Sequence, residues 1–480
     1  MSTLEFDDIQ GIIIRGHSNM EAAEYLMLHF TDAARARQWL QEILPSITHA
    51  GEKPLPERRQ IAFTHAGLGK LGLDLDATHY LRTEFIQGLG GDYRARLLGD
   101  LGDSAAENWA WGGPRNEVIH AVLMRYAIDQ TTLQKSQGPL DATLADAGIV
   151  CTARLDTIPN PMHKEHFGFR DGVSQPIIPG LKKSGTPGNP ESPAGEFILG
   201  YNNAYHELPD SPLVPTNQDP QGILPTAQDS AFRDLGRNGS YMIFRQLSQD
   251  VKGFWGFIQE AVRKENPDAG PGPAIQLAAK MVGRWPSGCP ITVSPEEDKP
   301  DLARENDFLY YEQDLEGFKC PVGSHVRRSN PRDSLQRNKP ERAQRISQRH
   351  RILRRGRIYG APLSPDFEPS SFLSAPDDGA PRGLHFICFN TDIARQFEFI
   401  QHTWNNNTKF EGMYEDPDPV LGIKDSRNKA FTHDFTIPAQ PIRRKVQGLK
   451  RHVHVVGGAY FFMPGMRGLK YLAYMNSESS

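Results

Sequence analysis

Residues 24–31 read EYLMLHFT, an apolar run with the length and aromatic content of a buried strand. Thr31 and Asp32 follow it and offer side-chain oxygens to cap a helix that runs through Leu44, in a stretch rich in Ala, Arg, Gln and Leu. Residues 60–64 and 117–126 read as further strands, and a helical stretch starts near Gln130. The same order returns late in the chain. Residues 239–246 (GSYMIFRQ) read as a strand and 248–262 as a helix carrying Trp255. Residues 383–390 (GLHFICFN) read as a strand and 393–404 as a helix. The recurrence predicts an α+β fold of two ferredoxin-like units with antiparallel sheets, arranged like a dimeric α+β barrel.

The boundary is expected near residue 225, with an N-terminal unit over 1–225 and a C-terminal unit over 226–480. Three Pro- and Gly-rich stretches, 179–193, 205–230 and 266–273, read as loops, the last ending the Trp255 helix. The C-terminal NSESS is expected to fray.

The chain has 480 residues and 38% hydrophobic content, enough for more than one domain of ordinary size. A net charge of -4 gives no global reason to expect nucleic acid or an anionic membrane as partner. Cys151, Cys289, Cys320 and Cys388 are scattered without a C-x-x-C pair, which fits free thiols in a reducing compartment. No basic-then-apolar leader and no apolar run near ~20 residues is present, so a cytoplasmic protein without a membrane span is expected.

Three local frames carry the chemistry. In HFGFRDGVSQP, residues 166–176, Asp171 sits beside glycines that permit close backbone approach. In GSHVRRSNPRD, residues 323–333, His325 stands among arginines. In RILRRGRIYG, residues 351–360, Arg354 lies within seven arginines spread over positions 342–357. A haem peroxide-activating site needs these residue types. An imidazole serves as axial ligand, and a carboxylate behind its other nitrogen strengthens it. An acid moves a proton from the inner to the leaving oxygen of hydrogen peroxide. A permanent cation holds the peroxide and stabilises charge as the O–O bond lengthens. Carboxylates in water titrate near ~3.9, which favours such work in acid. Each residue also has a plainer reading. Asp171 suits an Asx-turn, His325 an anion-contacting loop, and Arg354 a solvated arginine cluster.

Taken together the motifs resemble the dye-decolorising peroxidase family, over a span from about Ile9 to the C-terminus. The matching residues are Gly168-Phe169-Arg170-Asp171-Gly172, then Gly323 to Arg328 with Asn330-Pro331-Arg332. Ile352-Leu353-Arg354 follows, closing at Tyr359-Gly360, then Gly383, Leu384 and Phe386, and finally Ile400, Gln401 and Trp404. Length and inserted loops resemble the larger members.

The resemblance implies one haem b per chain, bound mainly by the second half, with His325 as the iron ligand and Asp171 and Arg354 as the distal pair. It implies hydrogen peroxide as oxidant and aromatic dyes and phenols as reducing substrates. Leu384 and Phe386 would form a distal wall that narrows access to about the size of peroxide. Val173, Ser174 and Gln175 would border the haem edge, and Arg327 would reach a propionate. Asp418, in DPDPVLG, is the preferred acid behind His325, with Asp392 as the second candidate. Tyr359 and Trp404 match residues proposed to carry an oxidising hole to the surface, or they are ordinary aromatics at the edge of a core. Gly356 departs from the Asn or Ser that many members place two residues after the arginine.

Two other functions compete at this level. A haem carrier or sensor would keep His325 without needing the Asp171–Arg354 pair. An RNA-binding protein would use the arginine cluster, against the acidic balance of the chain.

Overall fold

The computed structural model describes residues 3–181, 191–423 and 433–475. The middle of the 179–193 loop and the NSESS tail lie outside the described residues.

The strands, in chain order, are β1 (Ala22–Phe30), β2 (Glu57–Phe63), β3 (Ala121–Ala127), β4 (Ile149–Asp156), β5 (Leu213–Pro215), β6 (Phe232–Asp234), β7 (Ser240–Gln249), β8 (Leu353–Arg354), β9 (Arg357–Tyr359), β10 (Gly383–Asn390), β11 (His433–Ile437), β12 (Arg444–Leu449) and β13 (Val453–Met463). Nine of them join in one sheet ordered β4-β1-β3-β2-β13-β7-β10-β8, with β9 also pairing β10. Read from either half, the order is fourth-first-third-second, and every ladder is antiparallel. With helices after the first and third strands of each half, this is the ferredoxin-like pattern twice over. The halves meet where Phe462 of β13 pairs with Phe63 of β2.

Strand β1 is apolar almost throughout because both faces are covered. Tyr25 and Met27 join Val122, Met124, Met242, Phe244, Ile387, Phe389 and Phe461 in a core that spans both halves. Leu26, Leu28 and Phe30 face the other way, into a core shared with helices. The helix Ala33–Ile43 buries Ala36, Trp39, Leu40 and Ile43, the stripe expected at helical spacing, and the Asp32 carboxylate accepts from Arg35 N at 2.8 Å as its cap. The Trp255 helix starts later than its composition suggests, at Val251. Strand β7 runs on to Gln249, whose N–H bonds Arg382 O, and Asp250 then caps the helix through Gly253 N. The stretch expected as one helix over 393–404 is wound wider, as π-helical segments Ala394–Glu398 and Ile400–Asn405. The stretch 205–230, expected as a loop, itself holds β5, which pairs with β6 just beyond it in a small ladder. Among the described residues no helix is long and apolar enough to cross a membrane.

Burial also sets a pH dependence of stability. It pushes His17 down to about 3, and His120, His166, His350 and His385 to about 4. An unfolded histidine titrates near ~6.5, so these side chains stabilise the fold fully above that pH. Their contribution is lost as pH falls toward 4. Burial raises Glu165 and Glu398 to about 7, and these act in the opposite sense, losing their contribution as pH rises from the usual carboxylate range through 7. Among the groups shifted this far, the histidines outnumber the carboxylates. The melting temperature of the cofactor-free protein is therefore expected to drop by several degrees between pH 6.5 and 4.5. A melting temperature that held steady or rose over that interval would mean that the buried histidines do not stay neutral.

Candidate active site

His325 begins the short helix His325–Ser329. Its Nδ1 lies 2.9 Å from Asp418 Oδ2. In the neutral ring, Nδ1–H donates to the carboxylate and Nε2 is left with its lone pair. Asp418 is wholly buried, and its Oδ1 accepts from the N–H groups of Val420 and Leu421, each at 2.8 Å. Burial pushes the Asp418 carboxyl up, but the His325 charge and these bonds outweigh it and hold it below the usual range. Burial likewise pulls His325 down, and the Asp418 charge more than restores it, leaving it above the ordinary value. The histidine thus sits against a fixed anion, the arrangement that makes an imidazole a strong donor.

Asp171 and Arg354 form the second pair. Arg354 Nη1 donates to Asp171 Oδ1 at 2.8 Å, and each side chain keeps about a third of its surface open (38% and 30%). Asp171 N–H bonds His163 O, and Gly172 N donates to Asp171 Oδ1 at 2.6 Å. Gly172 has φ 76, a conformation costly for other residues. Arg354 ends β8, which pairs with β10 at Cys388. The Gln175 side chain clips the loop to that strand, its amide accepting from Arg354 N at 3.3 Å and donating to Arg354 O at 3.2 Å.

His325, Asp171 and Arg354 open onto one cavity of about 290 Å³, near the lower end of ligand-pocket size. Val173, Ser174, Leu384 and Phe386 line it, as do Phe167, Phe397 and Val453. Along β10, Leu384 and Phe386 face the cavity, while His385 between them packs on Tyr25 and Tyr359.

Four other expectations need correction or placement. Arg327 does not reach the cavity. It is wholly buried, donates to the carbonyl oxygens of Asp314, Leu315 and Cys320, and stacks on Tyr310. Asp392 is not behind His325 but caps the helix at Arg395 N and pairs with Arg82. Trp404 does not reach the surface. It is buried with Ile400 and Phe410, and its ring meets His350 edge-on at 5.2 Å. Tyr359 is half-buried on the far side of β10, stacked on His385 at 4.6 Å with its hydroxyl donating to Leu247 O. The departure at Gly356 has a steric cause: a Cβ there would lie 2.6 Å from His385 O, so Asn or Ser does not fit without moving β10.

The structure adds residues that sequence reading passed over. Arg351 is buried on the cavity wall and, among the described residues, no anion or hydrogen-bond acceptor meets its side chain. Burial, with Arg332 and Arg354 nearby, pushes its pKa down to about 9. Arg170 faces the same cavity, also without an ion pair among the described residues. A buried cation such as Arg351 and a half-buried one such as Arg170, both unpaired among the described residues, fit a ligand that brings its own carboxylates. An apolar slot, a carboxylate-backed histidine and unpaired arginines together match the donor set a haem requires. The one signal for Arg351 in the sequence was its place beside His350 in the arginine run, which does not separate it from its neighbours.

A duplicated ferredoxin-like fold brings a carboxylate-backed histidine and an arginine–carboxylate pair to one cavity, a set of groups suited to holding a haem. Comparison with known proteins narrows this. The chain is 29% identical to a dye-decolorizing peroxidase of Mycena epipterygia, covering 98% of this chain and 87% of that one. It is 29% identical to a multifunctional dye peroxidase of an Amycolatopsis species, covering 97% and 95%. A solved ancestral D-type dye decolorizing peroxidase, 28% identical, superimposes with a TM-score of 0.77 over 98% of this chain and 99% of that one. A dye-decolorizing peroxidase solved with 2,6-dimethoxyphenol, 24% identical, shares the fold with a TM-score of 0.75. No protein-family model matches the chain. Over nearly its full length this chain is similar to dye-decolorizing peroxidases.

Proposed function

We propose that this chain is a haem-dependent peroxidase that spends hydrogen peroxide on aromatic dyes and phenols. The observation that carries the reading is the Asp171–Arg354 bond at 2.8 Å on the cavity that His325 also faces. A carrier or sensor of haem has no need of that pair.

His325 Nε2 would hold the iron, Asp418 would fix the ring, and Arg351 and Arg170 would take the propionates. When bound, the haem would supply the two-electron oxidising chemistry. The chain's own residues do the rest. Arg354 holds the peroxide and its developing negative charge. Asp171 Oδ2, which makes no bond to Arg354, takes the proton from the inner oxygen. It delivers that proton to the outer oxygen, which leaves as water. Leu384 and Phe386 keep bulk water and large molecules from the reacting oxygens. Dyes then give up electrons from outside the cavity.

The test is an absorption spectrum of the purified protein, before and after one equivalent of peroxide. A Soret band that shifts on peroxide and returns when a phenol is added is the expected result. A protein that binds haem but does not respond to peroxide would be a carrier or sensor instead.

A further inference from the structure

Glu165 faces the same cavity as Asp171, six residues before it, and the chemistry described so far gives it no task. Its carboxylate closes a tight turn. Oε2 accepts from Phe167 N and Oε1 from Phe169 N, each at 3.0 Å. These are the N–H groups of the residues on the two sides of Gly168, which has φ 92. The main chain completes the loop, with Glu165 N donating to Phe169 O and Gly168 N to Glu165 O. From β7, Gln249 Nε2 donates to Oε2 at 2.6 Å. The two phenylalanines in this turn are held in turn by the Trp255 helix. Phe167 stacks on Phe254 at 4.4 Å, Phe169 lies parallel to Trp255, and Trp255 Nε1 donates to Phe167 O. Two residues after Phe169 stands Asp171.

No arginine or lysine pairs with Glu165 among the described residues, so its buried oxygens are committed to three N–H donors and not to a cation. Burial pushes Glu165 up to about 7, so the three donors meet a full carboxylate only above neutral pH. The geometric consequence is specific: the Glu165 side chain ties β7 and the Trp255 helix to the one loop that presents the proton-transferring acid.

The geometry points to Glu165 as a positioning residue for Asp171, clamping the turn at Gly168 so that the Asp171 carboxylate is held at Arg354. This rests on the role given to Asp171 above. A neutral amide is a poor substitute, because one end of Gln offers an NH2 group to a peptide N–H that needs an acceptor. A displacement of about 1 Å in a reacting group costs on the order of a hundredfold in rate.

The experiment compares Glu165→Gln, Asp171→Asn and the double variant, each loaded with haem, following the Soret change after one equivalent of peroxide. Glu165→Gln is expected to keep the haem content of the parent and to lower the melting temperature by no more than a few degrees. It should slow the peroxide step by about ten- to a hundredfold while leaving KM for a phenol unchanged. The double variant is expected to be no slower than Asp171→Asn alone, since a group that acts only through Asp171 has nothing left to position. Effects that multiply in the double variant overturn the inference, as does Glu165→Gln at the parent's rate while Asp171→Asn is slow. Asp171→Asn at the parent's rate would instead overturn the role of Asp171 itself, and the positioning role with it. Should Glu165→Gln not fold, Gln249→Leu removes one donor only. It is expected to slow the same step severalfold with haem retained, and an unchanged rate there overturns the inference.

Discussion

Asp171→Asn is expected to slow the reaction of the haem-loaded protein with hydrogen peroxide by about 10²–10⁴-fold, the usual contribution of a positioned proton-transfer group. The substitution keeps the size of the side chain, and its oxygen still accepts from Arg354 and Gly172 N, so the fold and the cavity should hold. What it removes is the second oxygen, the one free to take a proton. Stopped-flow absorption with one equivalent of peroxide reads the step directly. Haem affinity, measured by titration of the cofactor-free protein, should change little. A variant as fast as the parent would place the proton transfer on another group, and Glu165 is the carboxylate nearest in the chain that lines the same cavity.

The second large effect is expected at Asp418→Asn. Three donors converge on this buried carboxylate, from His325 Nδ1, Val420 N and Leu421 N. An amide has one oxygen for them and adds two donors of its own. One side of the new side chain must face an N–H group with nothing to accept it, at a cost of about 1–3 kcal/mol. The His325 ring then loses both its orientation and the anion that makes it a strong ligand. Haem affinity is expected to fall by about 10–100-fold, the range for partners behind a ligating histidine. Asp392→Asn serves as the control, since Asp392 holds Arg82 and a helix end away from His325. Equal haem affinity in the parent and in Asp418→Asn would remove Asp418 from this role.

The two expected pH effects pull in opposite directions. A carboxylate base favours work in acid, while the buried neutral histidines favour a fold kept near neutral. Turnover in acid should therefore begin fast and decay as the protein unfolds, most visibly over long assays.

The amino-acid sequence alone determined the repeat of strand, helix and strand, because apolar periodicity and a cap such as Asp32 act within a few residues. It also singled out Asp171, His325 and Arg354, since each stands in a frame of glycines or arginines that local chemistry makes distinctive. Local chemistry could not supply partnership, since His325 and Asp418 are 93 residues apart and Asp171 and Arg354 are 183 apart. Only the resemblance to a family paired them and ranked Asp418 above Asp392, and the structure has both bonds. Only the tertiary structure turned Arg327 inward onto Asp314 and left Arg351 facing the cavity, though both sit in runs of arginines. In the same way it put Glu165 in contact with Gln249 of β7 and closed the space around Gly356 with His385 O. The physical reason is common to all of these. A side chain's residue type is set by the chain, but its solvation, its partners and the room around it are set by what the fold packs against it.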